Sequence, residues 1–215
     1  MQSLMKLIKR VTGVEVEAEG NEAGALYVAN ESAFYEELNR QGNLFSVETT
    51  TPTAAVVALP TTTAGLGLYN PAADGGKSMI IDALYAINIV AHTTLGQHCL
   101  IAVQGQTRVA ALAGGLVVRK LNGNGAATSA PSIGTGTAGG AILDAVTGVA
   151  IGWRAVGESK NTSVISLPGV SLYAPVNGKM IVPPGRQLGI NVLSSNVEFT
   201  WVIGAIWHEK QITLG

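Results

Sequence analysis

The stretch Val197-Glu-Phe-Thr-Trp-Val-Ile-Gly-Ala-Ile-Trp-His-Glu209 decides how the chain is read. Val197, Phe199, Trp201, Ile203, Ala205 and Trp207 share one parity; Glu198, Thr200, Val202, Gly204, Ile206 and His208 share the other. Alternation over this length marks a strand, because successive strand side chains point to opposite faces. The first set predicts a core face. The second is mixed, as expected of a surface partly covered by a partner.

Working outward, Met79, Ile81, Ala83, Tyr85, Ile87 and Ile89 also share parity, opposite Asp82 and Asn88, and the Ile-rich composition favours a strand. From Phe45 onward, short apolar runs alternate with Gly, Pro and Asn clusters. Strands are predicted near 45–50, 54–59, 65–69, 78–92, 98–104, 115–121, 148–157, 162–167, 170–174, 179–182, 187–194 and 197–209. Many short strands at this spacing indicate an all-β sandwich or barrel. The segment from Gly123 to Gly140 holds almost no large side chain and is expected to be a long loop.

The first 44 residues read differently, as an extended, partly helical arm ahead of a β domain over 45–215. Leu4, Leu7 and Ile8 have the spacing of one helical face. A short helix is predicted near 31–41, capped by Asn30 or Ser32, with Phe34, Tyr35 and Leu38 on its apolar side and Gly42 as its stop. Leu4, Leu7, Ile8, Tyr27, Phe34, Tyr35 and Leu38 are the candidate anchors by which the arm meets a partner.

Charge separates the same two parts. Residues 1–42 carry four Lys/Arg and seven Asp/Glu, 11 charges in 42 positions. Residues 43–215 carry nine and seven, 16 in 173. Only 13% of the 215 residues are charged, against roughly 25% in an average soluble domain. Interface cores are depleted in charge, so the body is expected to bury surface against other chains. The net charge of -1 leaves no electrostatic footprint for nucleic acid or anionic membrane. The longest apolar run, Met79 to Ala91, contains Asp82 and Asn88 and falls short of the roughly 20 residues of a membrane span. No secretory leader pattern is present, so synthesis in the cytoplasm is expected and the sequons at Asn30 and Asn161 read as chance matches. One cysteine, Cys99, rules out a disulfide scaffold.

Motifs of chemistry are weak. Gly134-Thr-Gly-Thr-Ala-Gly139 has the letters of a dinucleotide fingerprint but lacks the strand before it and the helix after it. Gly75-Gly-Lys-Ser78 resembles the end of a phosphate-binding loop, yet Pro71 stands where a glycine is required; a turn with Lys77 in solvent is expected. His92, His98 and His208 have no cluster of ligands, and His98 and Cys99, adjacent on a strand, cannot share a metal. Cys99 is expected in an apolar cluster with Ile101 and Val103. No carboxylates form a close pair on one predicted strand. Trp153, Trp201 and Trp207 could stack on sugars, but two belong to the predicted core face. No catalytic residue, cofactor or metal site is assigned.

Three stretches carry a resemblance. Tyr69-Asn-Pro-Ala-Ala-Asp-Gly-Gly-Lys-Ser-Met-Ile-Ile-Asp82, Ile181-Val-Pro-Pro-Gly-Arg-Gln-Leu-Gly-Ile190 and the closing run Val197–Glu209 resemble elements of small structural proteins of tailed bacteriophages. The resemblance covers residues 45–215. It implies a jelly-roll β-sandwich, a homotrimer, and a role as a cement or decoration protein bound to the major capsid protein on the virion surface. The alternative it leaves open is a tail, neck or fibre component with a host-glycan binding domain.

Overall fold

The computed structural model describes residues 6–8, 15–17, 34–61, 63–70, 76–90, 94–107, 116–124, 133–135, 141–142, 152–162 and 169–212. Two compact units divide the chain, Met1–Glu37 and Leu38–Gly215. The boundary therefore lies between Glu37 and Leu38, ahead of the 44/45 division expected from composition.

In the first unit, β1 (Lys6–Ile8) and β2 (Glu15–Glu17) form an antiparallel pair with Leu7 opposite Val16. The helical spacing of Leu4, Leu7 and Ile8 is thus not realised, because Lys6–Ile8 is extended backbone. Leu4 and Tyr27 lie outside the described residues. Helix α1 (Phe34–Arg40) falls inside the predicted 31–41. Glu36 and Glu37 in its first turn and Arg40 in its last complement the helix dipole. It ends in a Schellman motif: Gly42 N–H donates to Asn39 O and Asn43 N–H to Leu38 O, both at 2.9 Å. Gly42 has φ +70°, the left-handed conformation that the motif requires and that glycine adopts without a Cβ penalty.

The second unit is built from β3 (Leu44–Glu48), β4 (Thr53–Ala54), β5 (Thr63–Ala64), β6 (Leu66–Asn70), β7 (Lys77–Asn88), β8 (Gly96–Thr107), β9 (Arg119–Lys120), β10 (Ile133–Thr135), β11 (Ala141–Ile142), β12 (Arg154–Ala155), β13 (Lys160–Thr162), β14 (Ser171–Val182), β15 (Arg186–Ser194) and β16 (Thr200–Gln211). One sheet has the order β14-β7-β16-β3-β9, with β4 also on β16. The other has the order β10-β6-β15-β8-β12, with β13 also on β8. Number the main strands in chain order: β3, β6, β7, β8, β12, β14, β15, β16. The first sheet then reads first-eighth-third-sixth and the second reads second-seventh-fourth-fifth. That is the pair of interlocked Greek keys of a jelly roll. The chain is an all-β jelly-roll sandwich.

The two sheets close on one core. Trp201, Ile203, Ala205 and Trp207 of β16 meet Leu66 and Leu68 of β6, Leu100 and Ala102 of β8, and Leu188, Ile190 and Val192 of β15. Phe45 stacks on Trp207 with centroids 5.9 Å apart. A smaller cluster of Ala64, Ile101, Val103 and Trp153, with Cys99 against it, uses the other parity of β8. His98 and Cys99 thus face opposite ways, as adjacent strand residues must.

Four sequence expectations are corrected. The parity of 79–89 does not run through: Ile206 pairs with Ala83 but Trp207 pairs with Ile81, so Asp82 is an extra, bulged residue. Met79 and Ile81 face the core before the bulge, and Leu84 and Ala86 face it afterward. Tyr85, Ile87 and Ile89 are turned out. Val197 is 51% exposed, not core, because residues 197–198 form a turn in which the Asn196 side chain accepts the Glu198 N–H at 3.0 Å. The strands predicted at 170–174 and 179–182 are one, β14, continuous through an irregularity between Pro175 and Met180. Inside 123–140, Ile133–Thr135 is not loop: it pairs with Leu66–Leu68 at the edge of the second sheet.

Candidate interaction face

The bulge at Asp82 is held by a histidine. His208 lies on β16, with a side chain buried like that of Asp82, and its Nδ1 sits 2.9 Å and 3.1 Å from the two Asp82 carboxylate oxygens. The pair is buried on the side of the β14-β7-β16-β3 sheet turned away from the core. Ordinary strand pairing could not place it there: Asp82 is the residue left over when the register shifts.

Beyond the bulge this outer face is apolar. One level across it runs Tyr173, Tyr85, Gly204 and Glu48, on β14, β7, β16 and β3 in turn. The Tyr85 ring lies over Gly204 so closely that a Cβ there would come within 2.2 Å of it. Its hydroxyl donates to Glu48 Oε2 at 3.3 Å. Burial, then the Glu48 charge and this hydrogen bond, push the Tyr85 phenol up to about 12. The next level holds Ile87 and Val202, and the one on the other side holds Pro175, Ala83, Ile206 and Ser46. Tyr173 is 60% exposed and Ile87 42%. The second parity of 197–209 thus contributes half-buried Val202 and Ile206 to this face, with Gly204 and His208 buried. Contiguous exposed apolar residues, unlike scattered ones, mark contact sites.

The other candidate residues lie elsewhere. Trp201 and Trp207 are fully buried, and Trp153 is buried with Nε1 donating to Pro60 O at 2.7 Å. None can stack on a sugar from solvent. His98 is fully buried, edge-on to Phe199 and Trp201. The Thr162 hydroxyl donates to Gly96 O, so it accepts from His98 Nε2; Ser194 Oγ then donates to Nδ1 at 3.0 Å. Both ring nitrogens are used structurally. His92 lies outside the described residues. Burial pushes the Cys99 thiol up, which lowers its reactivity. Glu158 and Lys160 form an exposed ion pair at 3.7 Å. Among the described residues no three His, Cys, Asp or Glu side chains group to hold a metal, and no helix is long and apolar enough to cross a membrane.

Gly76, with φ +74°, is the turn residue ahead of β7, and Lys77, which is exposed, and Ser78 already belong to that strand; Gly75 lies outside the described residues. Gly134 sits within a strand, not after one. Of the arm anchors, Leu7 and Ile8 lie in β1, Phe34, Tyr35 and Leu38 lie in α1, and Tyr35 is 40% exposed. Sequence reasoning missed the Asp82–His208 pair and the Tyr85–Glu48 bond. The one available signal was an acid inside an Ile-rich run, and its partner is 126 residues away. Compared with known protein families, curated proteins and solved structures, the chain matches none.

Proposed function

We propose that the chain is a structural protein of a tailed-bacteriophage virion: a decoration or cement protein that oligomerises on the capsid surface and bridges capsid subunits. It acts by binding. The observation that carries the reading is the apolar, charge-poor outer face of the β14-β7-β16-β3 sheet on a jelly-roll body. A surface of this kind suits contact with another protein. In this reading the body forms a trimer, and the arm anchors Leu4, Leu7, Ile8, Tyr27, Phe34, Tyr35 and Leu38 reach the major capsid protein. The protein is made in the host cytoplasm and ends in the particle. The burial of all three tryptophans disfavours glycan binding through them, and copy number separates the capsid reading from the tail or fibre alternative.

Electron cryomicroscopy of particles carrying this chain, with quantitative mass spectrometry, tests the reading. Symmetric repetition over a shell predicts on the order of hundreds of copies spread over the capsid. On the order of a dozen copies, confined to one vertex or the tail, would overturn the capsid assignment.

A further inference from the structure

We propose that the half of the β14-β7-β16-β3-β9 sheet level with Lys77–Ala83 docks an acidic polypeptide, a protein segment or surface rich in Asp and Glu. The inference stands apart from the virion reading, because it follows from the layout of charge on this sheet.

Strand pairing collects the charges. Lys77 opens β7, and Lys210, near the end of β16, pairs with Ser78 at the next level. Arg119 and Lys120 of β9 pair with Ser46 and Phe45 of β3, which in turn pair with Ile206 and Trp207, level with Ala83 and Ile81. Lys179 lies in the irregular step of β14 between Pro175 and Met180, the partners of Ala83 and Ile81. Five cations from four strands thus share one half of the sheet. With strands about 4.8 Å apart and a rise of about 3.3 Å per residue, they fall within roughly 20 Å by 20 Å.

No surface acid of the sheet offsets them. Lys77, Arg119, Lys179 and Lys210 are exposed, and Lys120 is half-buried. Among the described residues, none of the five has an ion-pair partner. Of the acids on the strands of this sheet, Asp82 is held by His208 and Glu209 is buried. Glu48 lies beyond, at the Tyr85 level, where it accepts the phenol hydrogen. Asp74 and Arg108, of opposite sign, lie outside the described residues. The Debye length at physiological ionic strength is about 8 Å, so neighbouring charges in this area are incompletely screened. A partner that brings carboxylates relieves their repulsion.

What accompanies the charges selects the partner's chemistry. Val117 and Leu121, on either side of β9, are 55% and 41% exposed, and a mixed basic and apolar surface suits a polypeptide. Among the described residues no exposed aromatic ring lies between the cations, so the bases of a single nucleic-acid strand find no platform to stack on. The nine Lys/Arg and seven Asp/Glu of residues 43–215 fall short of the strongly basic domain that marks a duplex binder.

The test is binding of the intact protein to a fluorescent polyglutamate peptide, by anisotropy over a salt series, with a mixed-sequence DNA duplex as comparator. Polyglutamate is expected to bind, more weakly as ionic strength rises. Lys77→Glu with Lys210→Glu, which reverses two exposed charges at neighbouring levels, is expected to weaken binding by at least about tenfold. Arg119→Glu with Lys179→Glu is expected to do the same. Lys160→Glu, outside this sheet, is expected to leave binding unchanged. Circular dichroism checks that each variant is folded; should one paired variant not fold, the other decides. Absence of polyglutamate binding, binding unchanged in a folded paired variant, an equal loss in Lys160→Glu, or tighter binding of the duplex each overturns the proposal. Because capsids are absent, failure of the virion reading would leave these results unaltered.

Discussion

At the scale of single residues, Tyr85 is placed by what Gly204 lacks. A β-carbon at 204 would occupy the position of the ring, so glycine lets the phenol cross β16 and reach Glu48. The environment holds the phenol neutral, with its titration raised to about 12. In the unfolded chain it titrates near the ordinary value of about 10. A group whose folded value is raised contributes stability below the unfolded value and loses it as pH rises toward the folded one. Stability of the native protein is therefore expected to be unaffected by Tyr85 below about pH 10 and to fall between there and about pH 12. Tyr85→Phe should flatten this alkaline loss, and Glu48→Gln should shrink it, because the folded value falls toward the unfolded one while the onset stays. Denaturation midpoints across the alkaline range, with phenolate absorbance in parallel, check both. An alkaline limb unchanged in Tyr85→Phe would show that the loss comes from other groups.

At the scale of elements, the bulge in β7 decides which side chains meet water. Period-two reasoning located β7 and β16 from the residues alone, because alternation is a local property of an extended chain. It could not locate the bulge, which exists only in the pairing of β7 with β16. Past Asp82 every side chain changes face, so Tyr85 and Ile87, read as core by parity, form the outer surface. The Asp82–His208 pair holds that shift in place. A buried hydrogen bond to a charged group typically contributes about 1.5–3 kcal/mol. His208→Ala and Asp82→Ala are each expected to destabilise by about that much, measured by chemical denaturation. The double variant should cost less than the sum, with a coupling of about 0.5–3 kcal/mol. Strict additivity would mean that the two side chains act independently. β14 gives the same lesson in another form: Asn177 at φ +49° and Gly178 at φ +77° mark a turn-like break that reads as two strands, yet the chain continues through it on the same partner.

At the scale of the whole molecule, charge is concentrated in residues 1–42, and the chain has two compact units, Met1–Glu37 and Leu38–Gly215. The core residues of the jelly roll run from Phe45 onward, so removal of residues 1–42 is expected to leave the thermal midpoint of the body nearly unchanged. In the proposed role the same truncation abolishes co-sedimentation with capsids. Binding that survives the truncation would remove the arm from the mechanism. The all-β class, the positions of the main strands and the stop of α1 at Gly42 are legible in the order of residues. These are local: they depend on period, on turn residues and on spacing along the chain. Which strands share a sheet, where the register slips, and which half of each alternation is buried are set by the folded pairing. Those depend on pairings between residues more than a hundred positions apart, Asp82 with His208 among them, and no local pattern encodes such a partner. The outer face is the product of that long-range pairing, so no count of residues along the chain locates it.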